Sequence, residues 1–403
     1  MGKNEENKHK SRESALHVME GVEQPGQINA EALKKLKSGK KIPTSVHELV
    51  DGIFSGNRTL LSKAITLVES SLPAHQEQAQ EVIAACLKMQ NADSKMQNAN
   101  NSTPASCIPH PVSRIPNPSS CIPHPGQSFR IGITGVPGVG KSTFIEALGK
   151  HLTAKGHKLA VLAIDPSSSR SKGSILGDKT RMEELAVDPN AFIRPSPAAG
   201  SLGGVARKTR ETIILCEAAG FDVIFVETVG VGQSETTVHS MVDFFLLLML
   251  AGAGDELQGI KRGIIEMADA ILINKADGDN IGKAETARAE YANALHLYPP
   301  PGSGWIPVAD ICSSRTKSGI ERAWELILKH RKITGDSGFF HHNRMEQNRQ
   351  VFRETIEAGL RQHFFTQKGI SHIIANLEQD IMNGIRNPYQ AANELLAGYF
   401  GKG

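Results

Sequence analysis

GVPGVGKST, the stretch from residue 135 to residue 143, matches the phosphate-loop pattern G-x-x-x-x-G-K-[ST] in full. Its residues are Gly135, Val136, Pro137, Gly138, Val139, Gly140, Lys141, Ser142 and Thr143. The apolar run Phe129–Thr134 before it predicts a buried strand, and Ser142–Lys155 after it predicts a helix. Glycines let backbone N–H groups face phosphate oxygens at a helix N-terminus, where the helix dipole favours anions. The stretch therefore predicts a nucleoside triphosphate site, with Lys141 at the β- and γ-phosphates and the Ser142 hydroxyl on Mg²⁺.

The composition indicates a globular enzyme of ordinary charge. Charged residues make up 22% of the 403 residues and the formal net charge is +3, which is too weak to indicate nucleic acid or a membrane surface as a partner. The N-terminus mixes Glu with Lys and has no apolar core, so we expect no signal or transit peptide. The longest apolar run, Phe244–Ala253, is far shorter than the roughly 20 residues that span a bilayer. Five scattered cysteines imply no disulfide framework. We expect a cytoplasmic protein with no nucleic-acid and no membrane partner.

Changes in composition divide the chain into five segments. We expect a flexible extension over 1–45 and a helical element over 46–87, where apolar residues recur at three- and four-residue spacings. A low-complexity insert rich in Pro and Asn follows over 88–127. A nucleotide-binding domain is expected over 128–335, and a helical C-terminal arm over 336–403.

The insert contains two short duplications. Lys88–Ala92 recurs as Lys95–Ala99, and Cys107–Pro111 recurs as Cys121–Pro125. A linker made by duplication accounts for them, because proline lacks the donor that a helix or a central strand needs. The alternative is a zinc site with two C-x₂-H pairs. Its ligands would be Cys107, His110, Cys121 and His124.

Strands and helices alternate after the phosphate loop. The apolar runs are Leu159–Ile164, Val223–Val226, Phe244–Leu250, Ala270–Ile273 and Ile306–Ile311. Such runs without polar alternation are typical of strands buried on both faces. We therefore predict an α/β fold, a mostly parallel sheet flanked by helical N-terminal and C-terminal elements. Further helices are predicted over Glu321–Lys329, Asn348–Phe364 and Ile370–Met382.

A second motif, Asn274-Lys275-Ala276-Asp277, directly follows a predicted strand, at the strand end where ligands of such sheets bind. The Asp277 carboxylate can accept hydrogen bonds from both N1–H and the exocyclic amine of guanine. Adenine offers no such pair of donors and would leave the carboxylate unsatisfied. An ordinary strand-end turn is the alternative. The motif favours GTP as substrate, with Ser313 and Ser314 supplying backbone contacts to the base.

Three carboxylates follow predicted strands or lie in the loops after them. Glu227 ends the run Asp222–Val226, Asp165 directly follows Ile164, and Asp178 lies in the next loop. Mg²⁺ bound to phosphates needs only one or two protein carboxylates plus waters, so the three need not bind together. The alternative for Asp178 is a solvated loop charge. The candidate catalytic residues are Lys141, which neutralises charge on the phosphates, and Glu227 and Gln233, which would orient the attacking water.

Four further segments carry a resemblance. They are Asp165–Ser169, Gly173–Met182, Glu227–Glu235 and Ala251–Lys261. Together they resemble the MeaB/ArgK family, which includes the methylmalonic aciduria type A proteins and is a branch of the metallochaperone-type (SIMIBI) P-loop GTPases. The resemblance covers roughly 46–87 and 128–403. It implies a homodimeric GTPase that loads, protects and reactivates adenosylcobalamin-dependent methylmalonyl-CoA mutase or a close relative.

The resemblance also implies roles for particular residues. The metal and switch residues would be Ser142, Asp165, Asp178 and Glu227. A loop that responds to the partner mutase would contain Asp255, Gln258 and Lys261, and the arm 336–403 would serve dimerisation. This chain departs from the family in the insert 88–127 and at Ser313-Ser314, where Ser-Ala is commoner. No cobalamin-binding module is evident, so contact with that cofactor would pass through the partner.

Other functions remain as alternatives. A kinase or ATPase associated with lysine, arginine and ornithine transport would use ATP, against which Asn274 and Asp277 argue. A nickel or cobalt metallochaperone needs soft ligands near the nucleotide, and here they lie only in the insert. A purely structural module would have no use for nucleotide-reading residues.

Overall fold

Seven short runs of the described chain form one parallel sheet in the computed structural model. The described residues are 44–100, 128–164, 182–195, 202–228, 234–252, 262–299 and 302–401. The strands are β1 Phe129–Gly135, β2 Leu159–Ile164, β3 Ala191–Arg194, β4 Val223–Thr228, β5 Phe244–Leu250, β6 Ala270–Asn274 and β7 Val308–Ile311. Their spatial order is β3-β2-β4-β1-β5-β6-β7.

Helices cover both faces of this sheet. Those before β4 are α1 Val46–Phe54, α2 Arg58–Glu69, α3 Pro73–Asn100, α4 Lys141–Ala154, α5 Glu183–Ala186 and α6 Leu202–Ala218. Those after β4 are α7 Ser234–His239, α8 Arg262–Met267, α9 Ile281–Leu295, α10 Ile320–Asp336, α11 Phe339–Thr366, α12 Ile370–Met382 and α13 Pro388–Phe400. No helix in the described ranges is long and apolar enough to cross a membrane.

The strands predicted from apolar runs all form, which confirms the α/β fold class. One strand, β3, was not predicted, because it has four residues, lies at the sheet edge and buries only Ala191 and Phe192. The predicted strand at Ile306 begins instead at Val308, since Pro307 precedes it and proline cannot donate to a ladder.

Each face of the sheet has its own apolar core. Side chains of β1 and β5 such as Ile131 and Leu246 pack with α4, α9 and α10, where Phe144 and Trp324 are fully buried or nearly so. On the other face, Ile224 and neighbouring strand residues pack with α6 and with α1 to α3. The N-terminal helices therefore belong to the same core as the sheet, and Val46–Gly403 forms one unit.

Helix α3 does not end where the low-complexity insert was predicted to begin. It continues through Asn100, so both copies of the Lys88–Ala92 repeat are helical. Lys, Met, Gln and Ala are good helix formers, and no proline occurs between Pro73 and Pro104 to stop the helix. The candidate zinc ligands lie in 101–127, outside the described residues.

Helix α11 is anchored at the amino-terminal ends of the strands, opposite the phosphate loop. The Arg344 guanidinium donates from Nε to Asp243 Oδ1 at 2.5 Å and from Nη2 to Asp243 Oδ2 at 2.6 Å. Gln347 Nε2 donates to the Val242 carbonyl at 2.7 Å. The helix begins at Phe339, earlier than the predicted Asn348, and α13 was not predicted. The helical character of the arm is as predicted.

Candidate functional site

The candidate site lies where the direction of strand connections changes. Strand β1 sits between β4 and β5, so the chain leaves it towards β2 on one side and later reaches β5 on the other. A crevice forms at the carboxyl ends of the strands at such a switch point, and ligands of open α/β sheets bind there. The phosphate loop, Glu227 and Asn274 all lie at these strand ends.

Backbone geometry explains the glycines of the phosphate loop. A Cβ on Gly135 would lie 2.3 Å from the Leu248 carbonyl oxygen of β5, so only glycine fits against that strand. Gly140 has φ 93° and precedes α4 without a side-chain cap. The first N–H groups of α4 therefore receive no side-chain cap from that residue, as an anion-binding helix start requires.

Lys141 lies across the loop that precedes it. Its Nζ donates to the Gly135 carbonyl at 2.8 Å and to the Val136 carbonyl at 3.4 Å. Burial lowers the pKa of Lys141, while the nearby carboxylates of Glu227 and Glu235 pull that pKa upward. The ammonium group thus faces two carboxylates at the phosphate end of the site. Glu235 was not a predicted site residue, since its position in the first turn of α7 gives no sequence signal of this proximity.

Ser142 and Glu227 meet at the same end. The Ser142 hydroxyl donates to Glu227 Oε1 at 3.4 Å, and Glu227 is only 5% exposed. Strand pairing sets this position, because Glu227 is in register with Ile133 of β1. Beside them, Thr228 Oγ1 donates to Thr134 Oγ1 at 2.8 Å. A hydroxyl and a carboxylate are hard oxygen ligands, so this pair fits Mg²⁺ bound mainly by phosphates.

Asn274 ties the phosphate loop to the loop after β7. Its Nδ2 donates to the Val139 carbonyl at 2.8 Å. Its Oδ1 accepts from the Ser314 backbone N–H at 3.0 Å and from the Ser314 hydroxyl at 2.9 Å. The side chain is fully engaged and 1% exposed, so it sets the position of both loops. Alanine, the commoner residue in the family resemblance, would lack the hydroxyl bond that Ser314 makes.

Asp277 and Ser313 meet at the other end of the site. The Ser313 hydroxyl donates to Asp277 Oδ2 at 2.5 Å, and the same hydroxyl oxygen accepts from the Thr316 backbone N–H at 3.2 Å. Ser313 is fully buried, whereas Asp277 is half-buried at the site. The bond engages only one of the two carboxylate oxygens, Oδ2.

Lys275, which lies between Asn274 and Asp277 in the sequence, has an unusual backbone. Its φ is 60°, a left-handed conformation that costs a non-glycine residue roughly 1–2 kcal/mol. Its Nζ donates to the Gly138 carbonyl at 2.8 Å, and its own carbonyl accepts from Asn280 Nδ2 at 2.8 Å. Sequence reasoning had no signal for Asn280, because a residue before a helix usually caps that helix.

The structure thus brings together most of the predicted site residues that it describes. Lys141, Ser142 and Glu227 lie at the phosphate end, and Asn274, Lys275, Asp277, Ser313 and Ser314 lie at the base end. Six predicted residues are outside the described ranges: Asp165, Asp178, Gln233, Asp255, Gln258 and Lys261. Within those ranges, no group of three or more His, Cys, Asp or Glu side chains could hold a metal ion.

Several known proteins are similar to this chain. The family model described as methylmalonyl Co-A mutase-associated GTPase MeaB matches residues 118–369. The Mus musculus protein named methylmalonic aciduria type A homolog, mitochondrial, is 43% identical over 354 residues, which cover 88% of this chain and 79% of that protein. GTPase ArgK of Escherichia coli strain K12 is 39% identical over 348 residues, covering 86% of this chain and 95% of ArgK.

Among solved structures, that of an LAO/AO transport system kinase is similar over the whole fold. It is 32% identical, has a TM-score of 0.64, and the match covers 91% of this chain and 100% of that chain. Because the family model matches more than half of the chain and its relatives match over most of their length, this chain belongs to the MeaB family of P-loop GTPases and hydrolyses GTP.

Proposed function

We propose that this GTPase is a chaperone that loads, protects and reactivates adenosylcobalamin-dependent methylmalonyl-CoA mutase or a close relative. The observation that carries the proposal is the match to a family described as associated with that mutase. The chain keeps the phosphate loop, the Ser142–Glu227 pair and the Asn274–Ser314 tie on which a nucleotide-dependent role depends. We place the activity in the cytoplasm, with cobalamin contacted through the partner rather than through this chain.

For the hydrolytic step, we assign roles along the crevice. Loop N–H groups and the Lys141 ammonium hold the β- and γ-phosphates and stabilise the charge that develops there. Ser142 and Glu227 would hold Mg²⁺, which supplies further charge neutralisation when bound. Glu227, 5% exposed, faces the crevice as the candidate that orients the attacking water, and Gln233 is the second candidate. At the other end Asp277 reads guanine.

We further propose that the mutase controls turnover. Asp165 and Asp178 would complete the metal and switch carboxylates, and the loop with Asp255, Gln258 and Lys261 would respond to the partner. No arginine among the described residues of the crevice is assigned to stabilise charge on the transferred γ-phosphoryl group, so intrinsic hydrolysis should be slow. Hydrolysis should accelerate when the mutase reorders these loops.

Exposed apolar side chains support a homodimer formed through the C-terminal arm. The exposed set on α11 to α13 and their connections is Met345, Phe352, Ile356, Leu360, Phe365, Ile373, Met382, Ile385, Tyr389, Leu396 and Phe400. A concentration of exposed large apolar side chains in one part of a protein is typical of an interface. A second copy is the partner that the family resemblance implies. Light scattering after gel filtration should give twice the chain mass, and L360D should shift it towards one chain; a monomeric wild-type protein would contradict the proposal.

The partner assignment is tested by retention on tagged methylmalonyl-CoA mutase. The full chain is passed over the immobilised mutase with GTP, with GDP and without nucleotide, and GTP turnover is measured with and without the mutase. Retention that depends on the nucleotide, together with faster turnover, is the expected result. No retention in any state and equal turnover would exclude the chaperone role.

A kinase is the second candidate, because the similar solved structure is titled an LAO/AO transport system kinase. It would transfer the γ-phosphate to a protein or small acceptor rather than to water. Turnover of γ-labelled GTP and ATP distinguishes the two. Release of all label as inorganic phosphate, from GTP only, supports the GTPase chaperone, whereas label on an acceptor supports the kinase.

A further inference from the structure

Backbone strain in this protein is concentrated beside the base end of the site. Lys275 and Lys317, with φ 60° and 62°, are the two non-glycine residues with left-handed backbone in the described ranges. Lys275 lies between Asn274 and Asp277, and Lys317 lies in the loop that contains Ser313 and Ser314. Such conformations persist only where the surroundings impose them, so each needs a group that holds it.

Asn280 holds Lys275. Its Nδ2 donates to the Lys275 carbonyl oxygen at 2.8 Å across a short 3₁₀ turn, Gly278–Asn280. Asn280 directly precedes α9 and makes no side-chain bond to the N–H groups of that helix. An asparagine at this position normally accepts from the first turn of the helix. Here its amide is turned back to the loop, so it contributes to the loop instead of capping the helix.

The bond acts on residues that meet the nucleotide. With its carbonyl fixed, Lys275 keeps the left-handed turn and its Nζ reaches the Gly138 carbonyl of the phosphate loop at 2.8 Å. The residues on either side contact other parts of the site, Asn274 the Val139 carbonyl and Asp277 the Ser313 hydroxyl, and the Lys275 turn connects them. Release of the turn would change the direction in which the chain runs from Asn274 to Asp277.

We propose that Asn280 is a positioning residue for guanine recognition, which keeps Lys275 left-handed and thereby sets the place of the Asp277 carboxylate. The inference rests on the proposed role of Asp277 as the guanine reader. Asn280 itself does not touch the base and acts through the Lys275 carbonyl.

A double-mutant cycle in the full chain tests this role. The dissociation constant for a fluorescent GDP is measured for wild type, N280A, K275G and the double variant. Glycine adopts a positive φ without cost, so K275G removes the need for a clamp. N280A should weaken binding about tenfold in the wild-type background, equivalent to about 1.4 kcal/mol, and less than about twofold in the K275G background.

Two matched variants separate positioning from a general effect on α9. N280D keeps the size of the side chain but removes the donor, and should weaken binding as N280A does. T286A removes one exposed hydroxyl bond, to the Gly282 carbonyl, on the same helix and should bind as the wild type does. Thermal unfolding of each variant shows whether it is folded.

Two results would overturn the inference: wild-type affinity in both Asn280 variants, or an equal loss from N280A in both backgrounds. Either leaves guanine reading by Asp277 intact if wild type still prefers GTP to ATP. If wild type binds ATP as tightly as GTP, the assignment of Asp277 fails, and this inference fails with it.

Discussion

Among single residues, Glu227 is the one that we propose both helps to hold Mg²⁺ and orients the attacking water. Its carboxylate lies 3.4 Å from the Ser142 hydroxyl. Burial lowers the pKa of Lys141, and the nearby Glu227 carboxylate offsets part of that decrease. Glutamine keeps the shape but loses the charge that both neighbours use. The Glu227 side chain therefore lies near Lys141, near the candidate metal ligand Ser142 and near the proposed position of the attacking water.

We predict that E227Q lowers the single-turnover rate of GTP hydrolysis about 100-fold, in the range of positioned acid–base groups. GDP affinity measured without Mg²⁺ should change much less, since the phosphate-loop N–H groups, Lys141 and the base end all remain in the variant. E285Q is the control, because Glu285 is an exposed partner of Arg288 on α9. A rate within twofold of wild type would mean that another residue orients the water.

Asp188 gives a pH-dependent contribution to stability. Burial alone would raise its pKa, but hydrogen bonds from Lys150, the Asn190 N–H and Thr153 outweigh burial and hold the pKa below its usual value. The Lys150 Nζ lies 2.6 Å and the Thr153 hydroxyl 2.8 Å from Oδ2. A carboxylate whose pKa is lowered by folding stabilises the protein above its unfolded pKa, and this effect is lost as pH falls through the folded pKa.

D188N should therefore reduce the free energy of unfolding by about 1.5–3 kcal/mol at pH 7, the range for hydrogen bonds to a charged group. The difference from wild type should shrink as pH falls below about 4, near the ordinary Asp pKa. Urea unfolding at both pH values measures it, with the exposed Asp279 as control in D279N. A difference that stays constant with pH would show that the charge of Asp188 is not the cause.

At the scale of elements, long-range polar contacts place the helices. The Asp243 side chain is 1% exposed and accepts from Arg344, a residue 101 positions later on α11. Glu217 at the end of α6 accepts from Arg130 and also lies 3.3 Å from Arg344. Three elements therefore meet in one buried cluster of charges.

R344A should destabilise the protein by about 3–5 kcal/mol, because it leaves buried carboxylates without their cation. Urea unfolding measures the loss, and limited proteolysis should show earlier cleavage around α11. The matched control is R353A, since Arg353 is an exposed arginine on the same helix. Equal stability of R344A and R353A would contradict the anchoring role of this cluster.

Strands could be predicted from the sequence where both faces of the strand are buried. β2 and β5 begin and end at the predicted residues because their runs are wholly apolar. The edge strand β3 could not be predicted, since half-burial weakens the apolar pattern of its sequence.

In the candidate site, the phosphate loop and Asp277 could be predicted from residue type and spacing. Asn280 and the Arg344–Asp243 pair could not, because their roles depend on backbone conformation and on contacts between distant residues.

At the scale of the whole molecule, nucleotide binding should stabilise the entire unit from Val46 onward, because the crevice joins β1, β4, β6 and the loop after β7. GDP or GTP at 100 times the dissociation constant should raise the free energy of unfolding by about 2.7 kcal/mol. Differential scanning fluorimetry measures the rise in melting temperature. ATP should give none at the same concentration, and EDTA should reduce the rise for GTP. Equal shifts with ATP and GTP would contradict guanine selection.

The N-terminal helices also limit how far the protein can be shortened. Glu69 of α2 accepts from Arg194 Nε at 2.9 Å, the Glu69 carbonyl accepts from Lys208 Nζ at 2.6 Å, and α1 to α3 share one apolar core with α6 and the strands. A version that begins at residue 128 would keep every described candidate nucleotide-binding residue, yet it would expose to water the apolar surface of α6 and its neighbours that α1 to α3 cover. Such a minimal catalytic fragment should form inclusion bodies when it is expressed. Shortened versions of this enzyme therefore have to retain α1 to α3.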